Sequence, residues 1–299
     1  MKLYAPKYYE RFSCIADKCK HSCCIGWEID IDSNTLERYG SLDEGYGEEI
    51  RNSIATEGTP HFTLSSDDRC PHLDRDGLCR IIKSMGEGYL CDICREHPRY
   101  YNYVISGKEV GIGISCEEAC RIVLESDDYS EICEIDEIYG VPEEFDFDAL
   151  KHRSRLYEIL SNRAIAYTER LERIYREFDV SPAMFEDAEW HSLIDSLEYL
   201  HAERKELFLR YSSALIADES NEKYLERALA YFIYRHCSEA FYFDGFLAAL
   251  GFALFCERLL ASLLRSDTAL DAYEFARIIS EELEYCEDNS EAIKDQFYF

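Results

Sequence analysis

Ten cysteines fall between residues 14 and 120 in short clusters separated by long intervals: Cys14, Cys19, Cys23 and Cys24, then Cys70 and Cys79, Cys91 and Cys94, and Cys116 and Cys120, with Cys133 an outlier. Neighbouring thiols supply two ligands cheaply and the fold supplies the others from afar, which is how zinc and iron–sulfur sites are built. Thiolates are soft donors that favour zinc, copper(I) or iron–sulfur clusters over magnesium or calcium. His21, His72 and His97 are embedded among the thiols. Mostly thiolate ligation is therefore expected, which suits an all-cysteine zinc site and a cluster equally. Ten candidates exceed one four-ligand site, so either two sites exist or several cysteines are spectators. The bland alternative is a core that uses cysteine as a small apolar residue.

Local spacing narrows the geometry. Asp76-Gly77, between Cys70 and Cys79, marks a tight reversal. Pairing of Leu73 with Leu78 would turn Cys70, His72 and Cys79 to one side, and a one-residue slip would reverse that. Cys91-Asp-Ile-Cys94 is a compact two-thiol clip, and Cys116 and Cys120 share a face if Glu117 onward is helical. Adjacent Cys23 and Cys24 must point in different directions, so one of them has a separate role. The Cys-x3-Cys-x2-Cys signature of radical enzymes is absent: Gly26 and Val123 stand where its third cysteine belongs. Gly111-Ile-Gly113 lacks the third glycine of a dinucleotide loop and reads as turn chemistry. No Walker loop and no Ser-His-Asp arrangement stands out.

The elements that must position these thiols differ along the chain. Eleven of the fourteen cysteines lie at or before Cys133, in a glycine-rich stretch of short strands and loops. Residues 27–31 alternate like a strand, Asp32 or Ser33 can cap a following helix, and residues 101–105 and 109–114 flank a hairpin turn. From about Asp146 the texture becomes helical. Helices are expected over roughly 150–178, 190–217 and 273–285, with Ser181-Pro182 suiting a helix start. Leu225, Leu229, Phe232, Ile233, His236 and Ala240 share one face of a further helix, and Gly245 separates it from a helix through Phe246, Leu250 and Leu254. The expected fold is mainly α: a cysteine-rich metal-binding region with short strands (α+β), residues 1–140, packed on a C-terminal helical bundle, residues 141–299.

Composition excludes some functions. Sixty-one acidic against 32 basic residues give a formal charge of −29, which argues against nucleic acid and toward cationic partners. The N-terminus, MKLYAPKYYERF, lacks the apolar run of a signal peptide. The apolar stretch Gly245 to Cys256 is twelve residues, too short to cross a bilayer as a helix. A cytoplasmic protein without membrane insertion is expected, in a setting where disulfides are rare.

Four blocks in order, "SCIADKCKHSCCIGWEIDID", "RCPHLDRDGLCRI", "LCDICREHPRYYNYV" and "GIGISCEEACRIVLE", resemble the flagellin lysine-N-methylase family. The first three are also similar to a broader group of cysteine-rich zinc- or iron-chelating proteins. The blocks span about residues 12–125; the helical remainder carries no matching motif. The resemblance implies methyl transfer from S-adenosylmethionine to flagellin lysines by an enzyme associated with an iron–sulfur cluster, 4Fe-4S, with zinc as the alternative metal. By position it implies Cys14, Cys19, Cys23 or Cys24, Cys70, Cys79, Cys94 and Cys116 as ligands, and ranks Cys91 and Cys120 second. It assigns no catalytic base and no cofactor pocket. Aromatic walls could hold a sulfonium or a methylated amine by cation–π contact, with Tyr100, Tyr101 and Tyr103 as candidates and strand-face packing as their plainer role. The alternative function is a non-catalytic zinc- or iron-binding protein; a third is a structural zinc domain joined to a helical partner-binding module.

Overall fold

The computed structural model describes residues 1–140, 147–216, 218–266 and 269–298. Asp146, where the helical texture is expected to begin, and Ala217, the expected end of one helix, lie outside them. The chain is 53% helix and 11% strand, so it is mainly α with small sheets. It divides into two compact units: Ser13–Arg99, and Met1–Phe12 together with Tyr100–Phe299. Residues 1–140 therefore contribute to both.

The unit Ser13–Arg99 is built on short elements. Strands Ile29–Asp30, His61–Phe62 and Ile54–Ala55 form an antiparallel three-stranded sheet. Asp32 caps the helix Ser33–Gly40 by accepting from the Thr35 amide at 2.9 Å, and its other oxygen accepts from the Asp92 amide at 2.9 Å. One carboxylate thus satisfies two helix starts. The apolar centre is Ile29, Ile31, Tyr39, Ile50, Phe62, Ile81 and Leu90, completed by cysteine side chains.

In the other unit a four-stranded sheet runs in the order Arg99–Val104, Gly107–Ile112, Lys2–Pro6, Ile132–Glu137. Lys2–Pro6 pairs parallel to Gly107–Ile112 and antiparallel to Ile132–Glu137. The expected hairpin is thus present and extended by a strand from the start of the chain. Gly111 lies in that sheet, and a Cβ there would run into the Tyr100 ring. Its glycine serves close packing.

The helical core centres on Phe243–Ser266, flanked by Glu222–Cys237, Ala272–Ile279 and Glu287–Lys294. A Cβ on Gly251 would overlap the Phe297 ring, so this helix face must be bare for the C-terminal turn to seat. Phe243–Ser266 is long and apolar enough to cross a membrane, but 89% of its most apolar stretch is buried inside the fold, as in a core helix. Gly245 sits in its first turn, so the break from the preceding helix falls at residues 238–242 instead.

Three expected helices are divided. Residues 150–178 form Ala149–Leu160 and Tyr167–Phe178, because the buried Arg170 turns back to cap the Leu160 carbonyl at 2.6 Å while pairing with Glu226 at 2.6 Å. Residues 190–217 hold Asp187–Ser196 and Glu203–Phe208, and Ser181-Pro182 opens a short 3-10 turn, Pro182–Met184. Ala272–Ile279 passes into a π-helical turn, Ser280–Glu284. That turn directs Glu282 onto the Leu200 amide at 2.8 Å and Glu284 onto His236 at 2.6 Å.

Candidate metal centre

Five cysteines from three separate stretches lie in or against the one apolar core of the unit Ser13–Arg99. Cys70 and Cys91 are buried at its centre, and Cys24, Cys79 and Cys94 pack against it. The backbone forces the approach. The Cys70 amide donates to the Cys24 carbonyl at 2.8 Å, and Ile25 bridges Arg69, which joins the two first stretches. Gly77, at φ +76°, closes the reversal that returns Cys79, with the Asp74 amide donating to the Leu78 carbonyl at 2.9 Å. Cys91 precedes the helix Asp92–Glu96, placing Cys94 one turn later on the same side.

The register of the reversal corrects one expectation. Leu73 pairs with Cys79, not Leu78. The slip takes His72 away from the thiols: its Nδ1 meets the Tyr46 hydroxyl at 3.0 Å and its Nε2 the Ser53 hydroxyl at 2.9 Å. With both nitrogens engaged and burial lowering its pKa to about 4, His72 is a neutral core residue. Burial likewise lowers His97 to about 4.

The thiols are electrostatically unequal. A hydrogen bond from Cys23, with Ser22 and the charge of Arg69 adding to it, lowers Cys24 to about 7 against the opposing effect of burial. Cys91 is lowered by a hydrogen bond from Cys94, whose own pKa is raised by giving it. Burial pushes Cys70 up to about 12 and raises Cys79, and the negative charge of neighbouring thiolates adds to both. Left alone, the group thus holds most of its protons, because each further thiolate would face the others in a poorly solvated core. A bound cation removes that repulsion, and coordination deprotonates a thiol outright. In donor type and number the group fits a soft metal or a cluster. Among the described residues no three His, Cys, Asp or Glu side chains converge on a single point.

The remaining candidates are placed differently. Cys23 is exposed and Cys24 half-buried, and the adjacent pair is joined by the hydrogen bond between their thiols. Cys14 is exposed and Cys19 half-buried, both outside the core that holds the five. Cys116 belongs to the other unit, where it precedes the helix Glu117–Glu125 and packs against the helical core. Its loop is pinned by the Ile114 amide donating to the Tyr231 hydroxyl at 3.3 Å, and that hydroxyl donates to Glu284 at 3.0 Å. Cys120 is buried there and its thiol donates to the Tyr273 carbonyl. Cys91, ranked second from the sequence, is among the most buried of the five at 1% exposure. Its Cys-x2-Cys spacing was the signal available. Tyr100 packs into the core between Tyr231 and Tyr234, whereas Tyr101 and Tyr103 face outward.

No family description matches the chain, and no solved structure is detectably similar. Three curated proteins are. Over 137 residues, 41% of the chain, it is 27% identical to a lysine-N-methylase of Salmonella typhimurium. It is 26% identical to the lysine-N-methylase of Salmonella choleraesuis over the same share. Over this share the chain is similar to proteins named lysine-N-methylase. It spans only 32% of the length of these two relatives. A third relative, the flagellar biosynthetic protein FliU of Salmonella muenchen, is 26% identical over 130 residues and is covered over 77% of its length.

Proposed function

We propose that the chain is a cytoplasmic, S-adenosylmethionine-dependent protein lysine N-methyltransferase acting on flagellin, with an iron–sulfur cluster or zinc held by N-terminal cysteines. The observation that carries the reading is the meeting of Cys24, Cys70, Cys79, Cys91 and Cys94 in one core, in a chain related to proteins named lysine-N-methylase. Four of these suffice for a four-thiolate site, leaving one thiol of the group, or Cys23, Cys14, Cys19 or Cys116, for a supporting role. Cys24, half-ionised near neutral pH, is the natural first ligand. Cys70, Cys79 and Cys94 then give up protons that burial otherwise keeps on them. An iron–sulfur cluster there would supply one-electron chemistry; zinc would supply a fixed staple.

In the transfer itself a neutral lysine amine attacks the sulfonium methyl carbon. The N–C bond forms as the S–C bond breaks, and the amine's proton passes to solvent or a base. The test is transfer of labelled methyl from S-adenosylmethionine to unmethylated flagellin by anaerobically purified, metal-replete protein. Label on flagellin lysines is expected; its absence sinks the proposal. Visible absorption of that preparation separates a cluster from zinc.

A second reading is a non-catalytic metal-binding protein. It is favoured by the five thiols all lying in one unit with its own apolar core. It requires reversible metal exchange and no binding of S-adenosylmethionine.

A further inference from the structure

Tyr101 and Tyr103 stand on one face of the edge strand Arg99–Val104, two residues apart, each a little over a third exposed. The ammonium of Lys108, from the adjacent strand, lies 4.5 Å from the centre of the Tyr101 ring and 4.8 Å from that of Tyr103. Both distances are within cation–π range. The other lysines of this sheet behave differently: Lys2 pairs with Glu134 at 2.6 Å and Lys7, just beyond the strand, with Glu131 at 2.7 Å. Lys108 makes no ion pair among the described residues, in a chain carrying 61 carboxylate side chains. Two ring faces, not a carboxylate, are what this ammonium has found. Ile105, 41% exposed, continues the apolar stripe past the end of the strand.

The geometry points to Tyr101 and Tyr103 as a clamp for lysine side chains of a partner protein, with Lys108 its resident occupant. The ligand class is set by what the rings already hold. A methylated ammonium suits it better than a free one, because methyl groups keep the charge while weakening its hydration, and aromatic faces select such cations. The acidic field of the chain, −29 overall, brings cationic segments toward it. The outer edge beside Tyr103 is acidic too, since the Tyr103 amide donates to the Glu239 carboxylate at 3.0 Å. That bond caps the strand edge, so the side chains rather than the backbone are offered to a partner. The clamp stands on the ring and ammonium geometry alone, so it binds its ligand whether or not the chain is a transferase.

The test uses the full chain with 13C-labelled tyrosine rings followed by NMR. The probes are acetyl-trimethyllysine amide, acetyl-lysine amide, and the uncharged tert-butyl isostere of trimethyllysine. In the wild type, trimethyllysine shifts the Tyr101 and Tyr103 signals, which are identified by their loss in Y101L and Y103L. Removing the occupant in K108A tightens binding about two- to fivefold, the worth of one exposed cation–π contact. Y101L/Y103L abolishes binding and Y101F/Y103F, which keeps both ring faces, retains it. Equal binding of the isostere, or no gain in K108A, overturns the clamp even if the leucine pair fails to fold. Intact flagellin methylation alongside a failed clamp leaves the transferase reading standing, and the converse result separates the two in the other direction.

Discussion

Replacing Cys91 by serine separates a metal ligand from a packing residue. Cys91 is 1% exposed and accepts a hydrogen bond from Cys94, so in metal-free protein a serine keeps the bond but buries a hydroxyl in an apolar core. Burial of a partly satisfied hydroxyl costs about 1–3 kcal/mol. In loaded protein a second effect is added. A metal present at about a thousand times its dissociation constant stabilises the fold by about 4 kcal/mol. Losing one thiolate from the set should weaken binding at least tenfold, removing about 1.4 kcal/mol or more of that gain. The assay is urea unfolding of wild type, Cys91→Ser and Cys133→Ser, each with and without metal under anaerobic conditions, with metal content measured in parallel. Cys133 is an exposed strand residue of the other unit and serves as the control. The expected result is a metal-dependent gain that shrinks in Cys91→Ser and is unchanged in Cys133→Ser. If Cys91→Ser lowers stability equally with and without metal, Cys91 is only packing and the reasoning that makes it a ligand is refuted.

Other expectations follow from the same structure. Arg153 binds Glu109 through two hydrogen bonds at 2.6 and 2.7 Å, with both side chains nearly fully buried. Arg153→Met should cost about 3–5 kcal/mol by stranding the carboxylate, and Arg153→Met/Glu109→Leu should recover much of it, read from urea midpoints. Gly251→Ala should cost about 1–3 kcal/mol through overpacking, and the penalty should vanish in a Phe297→Ala background. His72 has a folded pKa of about 4, below the unfolded 6.5, so the unfolded chain takes up a proton first as pH falls. In metal-free protein its contribution is therefore full above pH 6.5 and is lost progressively toward pH 4, by up to about 3 kcal/mol. The slope of stability against pH over that interval should flatten in His72→Gln, and an unchanged slope would count against a neutral buried imidazole.

How much was legible in the sequence depends on the range of the forces involved. The Asp32 cap, the Asp-Gly reversal and the hairpin around Gly107 are local, and all three are present. The helices were visible as a texture but not in their breaks. Arg170 ends one by reaching back to the Leu160 carbonyl, an interaction that no periodicity records. The same limit applied to the reversal between Cys70 and Cys79. Its turn residues specify a tight bend, yet the register hangs on one bridge, Leu73 to Cys79, and that single step sends His72 to Tyr46 and Ser53.

By itself the sequence determined the chemistry on offer: clustered soft donors, an acidic surface and a mainly helical fold, because residue type, spacing and charge are properties of the chain. The tertiary structure decided membership. It drew Cys24, Cys70, Cys79, Cys91 and Cys94 into one core, left Cys23 outside, and placed Cys116 in the other unit. The reason is that side-chain neighbourhood over tens of residues is set by packing and backbone pairing, such as the Cys70 amide on the Cys24 carbonyl, between residues that spacing alone does not relate.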